Sequence, residues 1–341
     1  MKAGEAGMKR AMILGCAAML GLALATRTAA AEDIKIGLIK VASAGPIVIA
    51  QAKGYFAKEG LTADIVFADQ PALLAQGVMA GDFTFAVGAA TSAFYNLAGR
   101  GALRIISGTS DEAPGFKAQV VIVSNQAYAA GLKTLRDLAG HSSAISAAGA
   151  PQQYELGVIA QKYGFDYASI RTIPLGSFPN MVTAVVGGSV DSAIPTGAAA
   201  RQAITDNKVQ RLAWVGDEMR VTLGVLMTSA ATADRKADIV NRFLRVYRAG
   251  VRDYRAAFIG PDERPKDNQS AAETYAILAK YFGQPVEYVM QNVSHLDAQG
   301  RLDVQDIHRQ IDWYKSQGMV KPEVDASKII DMRYVVPLPE K

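Results

Sequence analysis

Two loops of small residues, Gly88-Ala89-Ala90-Thr91 and Pro195-Thr196-Gly197-Ala198, stand at corresponding points of two similarly built stretches of the chain. Residues this small let a ligand approach main-chain amides, and Thr91 and Thr196 add a hydroxyl beside them. Ser43, Gly149, Ala150, Gln152 and Ser177 lie in or beside loops of the same kind, and Gln70 and Phe178 each come just before a proline, Pro71 and Pro179. A helix that starts after such a loop turns unpaired N–H groups and the positive end of its dipole toward it, which suits an oxyanion without any arginine clamp. The candidate ligand residues are therefore Ser43, Gln70, Gly88, Ala89, Thr91, Gly149, Ala150, Gln152, Ser177, Phe178 and Thr196. Ser43, Thr91, Ser177 and Thr196 are equally ordinary helix caps. Phe178, like Phe116 and Tyr154, either flanks an aromatic ligand or simply packs.

Other chemistry is thinner. Lys40 and Arg201 are available as anion partners, or as plain surface or hinge charges. Asp111 and Glu112, adjacent and just before Pro114, read as a solvated turn rather than an acid–base pair. His141, His295 and His308 show no metal-ligand spacing, and no nucleophile elbow or phosphate-binding glycine motif is present, so neither a metal, a cofactor nor a catalytic step is expected.

The elements that must hold those loops repeat. In Gln70–Thr91, a proline-opened helix ends at Gly81 and leads into a strand over Phe83–Val87; in Phe178–Ala198, a helix opened by Pro179 ends at Gly187-Gly188 before a strand over Val190–Ile194. Strands over Ile34–Ile39, Thr62–Phe67, Ala118–Ser124, Ser142–Ser146, Ile170–Pro174 and Val209–Val215 alternate with helices, the signature of mainly parallel sheets clad on both faces. A strand over Arg220–Thr228 is expected to return and pair near Ala118–Ser124. From Asp234 onward the pattern is helical, with Ile239, Phe243, Val246, Tyr247 and Val251 at helical spacing, and reads as cladding on the first of two lobes.

Met8-Lys9-Arg10 followed by the apolar run Ala11–Ala25 and by Ala29-Ala30-Ala31 reads as a secretory signal cleaved near Ala31, and the run is too short for a membrane span. Cys16 offers a lipoprotein reading, although it falls inside the apolar run rather than at its end. It is the only cysteine, which leaves the processed chain without disulfides or thiolate sites. Removing the leader also takes Lys2, Lys9, Arg10 and Arg27 against Glu5, so the net charge falls from +4 to +1 and nothing points to nucleic acid.

Ala52-Lys53-Gly54-Tyr55-Phe56-Ala57-Lys58-Glu59-Gly60-Leu61 resembles the signature of nitrate/sulfonate/taurine-type solute-binding proteins of ABC importers. Gly81-Asp82, Leu135–Gly140 and Gly187–Ala193 resemble further landmarks in the same order, so that the likeness spans about residues 33–230. The resemblance implies an α/β, type II periplasmic-binding-protein fold: two doubly wound lobes, two crossovers and a helical tail on the first lobe. It places the leader at 1–31, the first lobe at 32–124 and 218–341, and the second lobe at 125–217, with crossings near Ser124-Asn125 and Asp217-Glu218. It implies a monomeric, exported protein that binds a small anionic solute and meets permease subunits in the inner membrane. A sulfonate or taurine-like compound, an aromatic carboxylate or nitrate is the expected solute. Alternatives are an enzyme resembling thiamine pyrimidine-precursor synthases, whose cysteine-rich motif is missing here, and a binding protein that feeds a sensor kinase. One departure is Ala147–Pro151, where the family often has glycine followed by serine or threonine; Gln152 is then the available substitute donor.

Overall fold

In the first sheet, β1 (Glu32–Leu38) runs into α1 (Gly45–Ala52), and β2 (Leu61–Phe67), α2 (Ala72–Ala80), β3 (Phe85–Ala89), α3 (Ser92–Ala98) and β4 (Leu103–Glu112) follow. The second sheet takes β5 (Val120–Ser124), β6 (Ser142–Ile145), α4 (Pro151–Tyr163), β7 (Arg171–Pro174), α5 (Phe178–Val186), β8 (Ser192–Ala193), α6 (Gly197–Thr205) and β9 (Val209–Trp214). The chain then returns as β10 (Val221–Ser229) and ends in α7 (Ala237–Phe258), α8 (Ala272–Phe282), α9 (Val286–Met290) and α10 (Val304–Ser316). This computed structural model describes residues 31–68, 72–266, 271–291 and 293–339; most of the expected leader, Gln70 and Pro71 lie outside them. Among the described residues no helix is long and apolar enough to cross a membrane.

The strand orders are β2-β1-β3-β10-β4 and β7-β6-β8-β5-β9. They are the same pattern. In each sheet a parallel trio receives one antiparallel strand in fourth place, and that strand is the first element after the chain has crossed from the other sheet. The repeated helix-strand plan supplies β3 and β8, each parallel to the strand that precedes it in the ladder. Both faces of each sheet are buried, as α/β layering requires. Along β3, Phe85 and Val87 join one core while Ala86 joins the other, and along β5 Val121 and Val123 face one core while Val120 and Ile122 face the other.

Two expectations are corrected. Val120–Ser124 pairs with β8 and β9, so it belongs to the second sheet and not to the end of the first lobe. The returning strand pairs with β3 and β4 rather than near Ala118–Ser124. The crossings accordingly lie between Glu112 and Val120 and between Trp214 and Val221. A five-residue strand of four apolar residues and a serine, buried on both faces, fits either sheet by local pattern, and only its non-local partners decide.

The tail packs on the first lobe through α7, whose ring of Phe243 stacks on Phe85 at a centroid distance of 3.8 Å. Helix α10 also reaches the second lobe. Trp313 meets Tyr154 edge-on at 5.7 Å, and a Cβ at Gly157 would fall 2.4 Å from the Trp313 ring. The close crossing of α1 and α7 rests on Gly250, where a Cβ would lie 2.0 Å from the Pro46 carbonyl oxygen. Gly250→Ala is expected to push these helices apart and cost about 1–3 kcal/mol of unfolding free energy in a denaturant titration, despite alanine's better helix propensity. An unchanged or raised stability would contradict the packing described.

Candidate functional site

The facing rims of the two lobes meet. The Ser92 N–H, at the start of α3, donates to the Gly149 carbonyl at 3.0 Å, and Gly149 holds a left-handed φ of 72° that brings its Cα against Ser92. A Cβ at Gly149 would collide with the Ser92 hydroxyl. Ala150 is the N-cap of α4 with no side-chain cap, and its carbonyl accepts from the Tyr314 hydroxyl at 3.0 Å. Gln152 is buried rather than presented to solvent. Its Oε1 accepts from Ser146 Oγ at 3.1 Å and its Nε2 donates to Gln119 Oε1 at 3.3 Å.

The other expected residues act mainly within their own lobes. Thr91, Ser177 and Thr196 cap α3, α5 and α6 by accepting from Phe94, Asn180 and Ala199. Ser43 is buried in the single turn Ala42–Ala44. Gly88 and Ala89 end β3 beside β10, with the Met227 side chain filling the space a Cβ at Gly88 would take. Phe178 packs against the core around Met181 and Val182. Gln70 lies outside the described residues.

Beneath the rims is a layer of buried acids that residue-type reasoning passed over. Asp111 and Glu112 do not form a solvated turn: both are buried, at the end of β4, and strand alternation sends them to opposite sides. Asp111 faces His295 Nδ1 at 3.5 Å and Arg220 at 3.6 Å. Glu112 faces Glu155 of α4. Gln119 Nε2 donates to Glu155 Oε1, which completes a relay of Ser146, Gln152, Gln119 and Glu155 across the start of the second lobe. Among the described residues the second oxygen of Glu155 has no hydrogen-bond partner, and Gln119 approaches Glu112 without closing a well-formed bond. Burial pushes the Glu155 carboxyl up to about 8, and burial together with the neighbouring Glu155 holds Glu112 well above the usual carboxylate range. The available sequence signal was helical spacing, since Glu155 stands three residues after Gln152 and four before Ile159 on one buried stripe of α4.

Beside this layer, a cavity of about 610 Å³ opens between the lobes. Gly115 and Lys117 of the first crossing, Arg201 of α6, and Arg264, Pro265, Glu287, Met290, Gln291 and Val293 from the tail line it. Among the described residues, the buried Arg201 Nε has no hydrogen-bond partner. None of the small-residue loops lines this space; of the charges considered from sequence, Arg201 does. A second cavity of about 560 Å³, around Tyr55, Arg245 and Arg252, is lined by first-lobe residues alone and plays no part between the lobes.

Residues 42–263 match the family described as NMT1/THI5 like. The chain belongs to this family. No curated protein matches it. Among solved structures it is similar to the periplasmic aliphatic sulphonate-binding protein SsuA of Escherichia coli, with a TM-score of 0.69 and 18% identity over 91% of this chain and 94% of that one. The alkanesulfonate-binding SsuA of Xanthomonas axonopodis pv. citri, bound to MOPS, gives 0.66 and 18% over 88% and 98%. The periplasmic nitrate-binding protein NrtA of Synechocystis PCC 6803 gives 0.64 and 13% over 87% and 86%. This NMT1/THI5-like chain thus has the periplasmic-binding-protein fold, in agreement with the resemblance carried by residues 52–61.

The buried acids imply a pH dependence of definite sign. Because the folded chain raises Glu155 from 4.5 to about 8, it holds a proton that the unfolded chain releases, so stability is greatest below the lower value and falls as pH rises toward the upper one. Glu155→Gln keeps the acceptor for Gln119 and removes the ionisation. Its melting temperature relative to the parent is expected to rise by several degrees between about pH 5 and about pH 8.5, a trend that calorimetry checks and a pH-independent difference would refute.

Proposed function

We propose that the chain is the periplasmic solute-binding subunit of an ABC importer. It captures a small anionic solute between its lobes, performs no reaction, and hands the solute as a monomer to permease subunits in the inner membrane. The expected solutes are sulfonates or taurine-like compounds, aromatic carboxylates and nitrate. Export through the segment Ala11–Ala25 and cleavage near Ala31 place it outside the cytoplasm.

The observation that carries this reading is the cavity between the lobes, where Lys117, Arg201 and Arg264 outnumber the one acid, Glu287. A site of that sign concentrates anions. The fold supports it as well, because two lobes whose chain connections are two short crossings close by hinge motion, and a hinge-closed shape is a signal that a membrane partner reads.

Isothermal titration of the full processed chain with alkanesulfonates, taurine, aromatic carboxylates and nitrate tests the proposal. Saturable heats with at least one of these anions are expected. Heats arising only with neutral sugars or cationic peptides would overturn the ligand class.

A further inference from the structure

The three cations of the cleft come from three different parts of the molecule: Lys117 from the crossing, Arg201 from the second lobe and Arg264 from the segment that follows α7 in the first. Among the described residues none of the three forms an ion pair, although arginines elsewhere, such as Arg245 with Glu59 and Arg301 with Asp297, do. Lys117 Nζ lies 5.8 Å from the centre of the Trp214 ring, and among the described residues Arg201 Nε has no hydrogen-bond partner. The lining also includes the apolar residues Pro265, Met290 and Val293.

Building on the import reading, we propose that the solute is an organic dianion, two acidic groups on an apolar body, and that Arg201 and Arg264 hold it from opposite lobes. The charge balance leads there. Three cations against Glu287 leave two positive charges to neutralise, which one nitrate or one monosulfonate does not do. A cavity of about 610 Å³ that includes Pro265, Met290 and Val293 in its lining also has room for a body that nitrate lacks. The arrangement couples recognition to closure. Without an anion, like charges on the two lobes repel as the cleft narrows; with one bound between them, the same charges draw the lobes together. A dicarboxylate or a sulfocarboxylate has this chemistry.

The test is titration of the full processed chain with succinate, phthalate and sulfoacetate beside methanesulfonate, benzoate and nitrate. Dianions are expected to bind about tenfold or more tightly than their monoanionic analogues, and Arg201→Gln and Arg264→Gln each to weaken the dianion about tenfold, as loss of a charge-assisted hydrogen bond does. Melting temperatures of the two variants close to the parent's show that they fold, and a dianion-induced change in Trp214 emission, absent from a Trp214→Phe control, reports the cleft itself. A solute that binds with equal affinity to the parent and both variants, or monoanions preferred over dianions, would overturn this inference and leave the import reading standing. Absence of binding by any small solute, with the parent folded, would overturn both.

Discussion

The two segments that carry the chain between the sheets touch, and the residues beside the crossings are placed from that contact. Gly216 lies so close to the first crossing that a Cβ would sit 2.3 Å from the Ala113 carbonyl oxygen, and the Gly115 N–H donates to Asp217 Oδ1 at 2.8 Å. Two strands of backbone packed this tightly bend together rather than separately. Glu112 and Gln119 flank one of them, Lys117 sits within it, and Asp217 belongs to the other. The acid layer and the cationic cavity are therefore hung on one hinge.

A third tie crosses beside it. Asp306 of α10 accepts from the Thr222 N–H at 2.8 Å, just past the second crossing, and from Gln310 Nε2 at 2.8 Å, while the Tyr154 hydroxyl of the second lobe approaches it at 3.3 Å. With Trp313 against Gly157 and Tyr314 on the Ala150 carbonyl, this makes the tail a strap over both lobes. Sliding of the lobes must be accommodated along α10, where a few aromatic contacts and the hydrogen bonds of Tyr314 to the Ala150 carbonyl and of Tyr154 to Asp306 stand in place of a covalent link. Asp306 and Gln310 on the strap are hydrogen-bonded, whereas Glu112, beside the first crossing, closes no well-formed bond among the described residues.

Most of the architecture could be read from residue order. Alternating strands and helices, the doubled helix-strand plan, and the caps at Thr91, Ser177 and Thr196 are local signals, and local signals determine local structure. What escaped is non-local. Whether Val120–Ser124 belongs to one sheet or the other depends on partners about seventy residues away, and no pattern within five largely apolar residues carries that. Asp111 and Glu112 look hydrophilic as a pair, but a strand separates neighbours onto opposite faces, so that each acid meets its own environment. The small-residue loops were recognisable as rims; that they bring Ser92 against Gly149, while the cations gather at Lys117, Arg201 and Arg264, follows from how two lobes dock.

The interleaved strand order has a temporal side. The first sheet cannot be finished from its own amino-terminal strands, because β10 stands between β3 and β4 and pairs Leu226 with Val87 and with Ser107. The second sheet, in contrast, is made from one uninterrupted stretch of chain. During synthesis the early strands wait with open edges until the whole of the second lobe has emerged, and closing so long a loop is slow. The same topology that builds a hinge therefore keeps the nascent protein unfinished, and in need of protection, until late in its making.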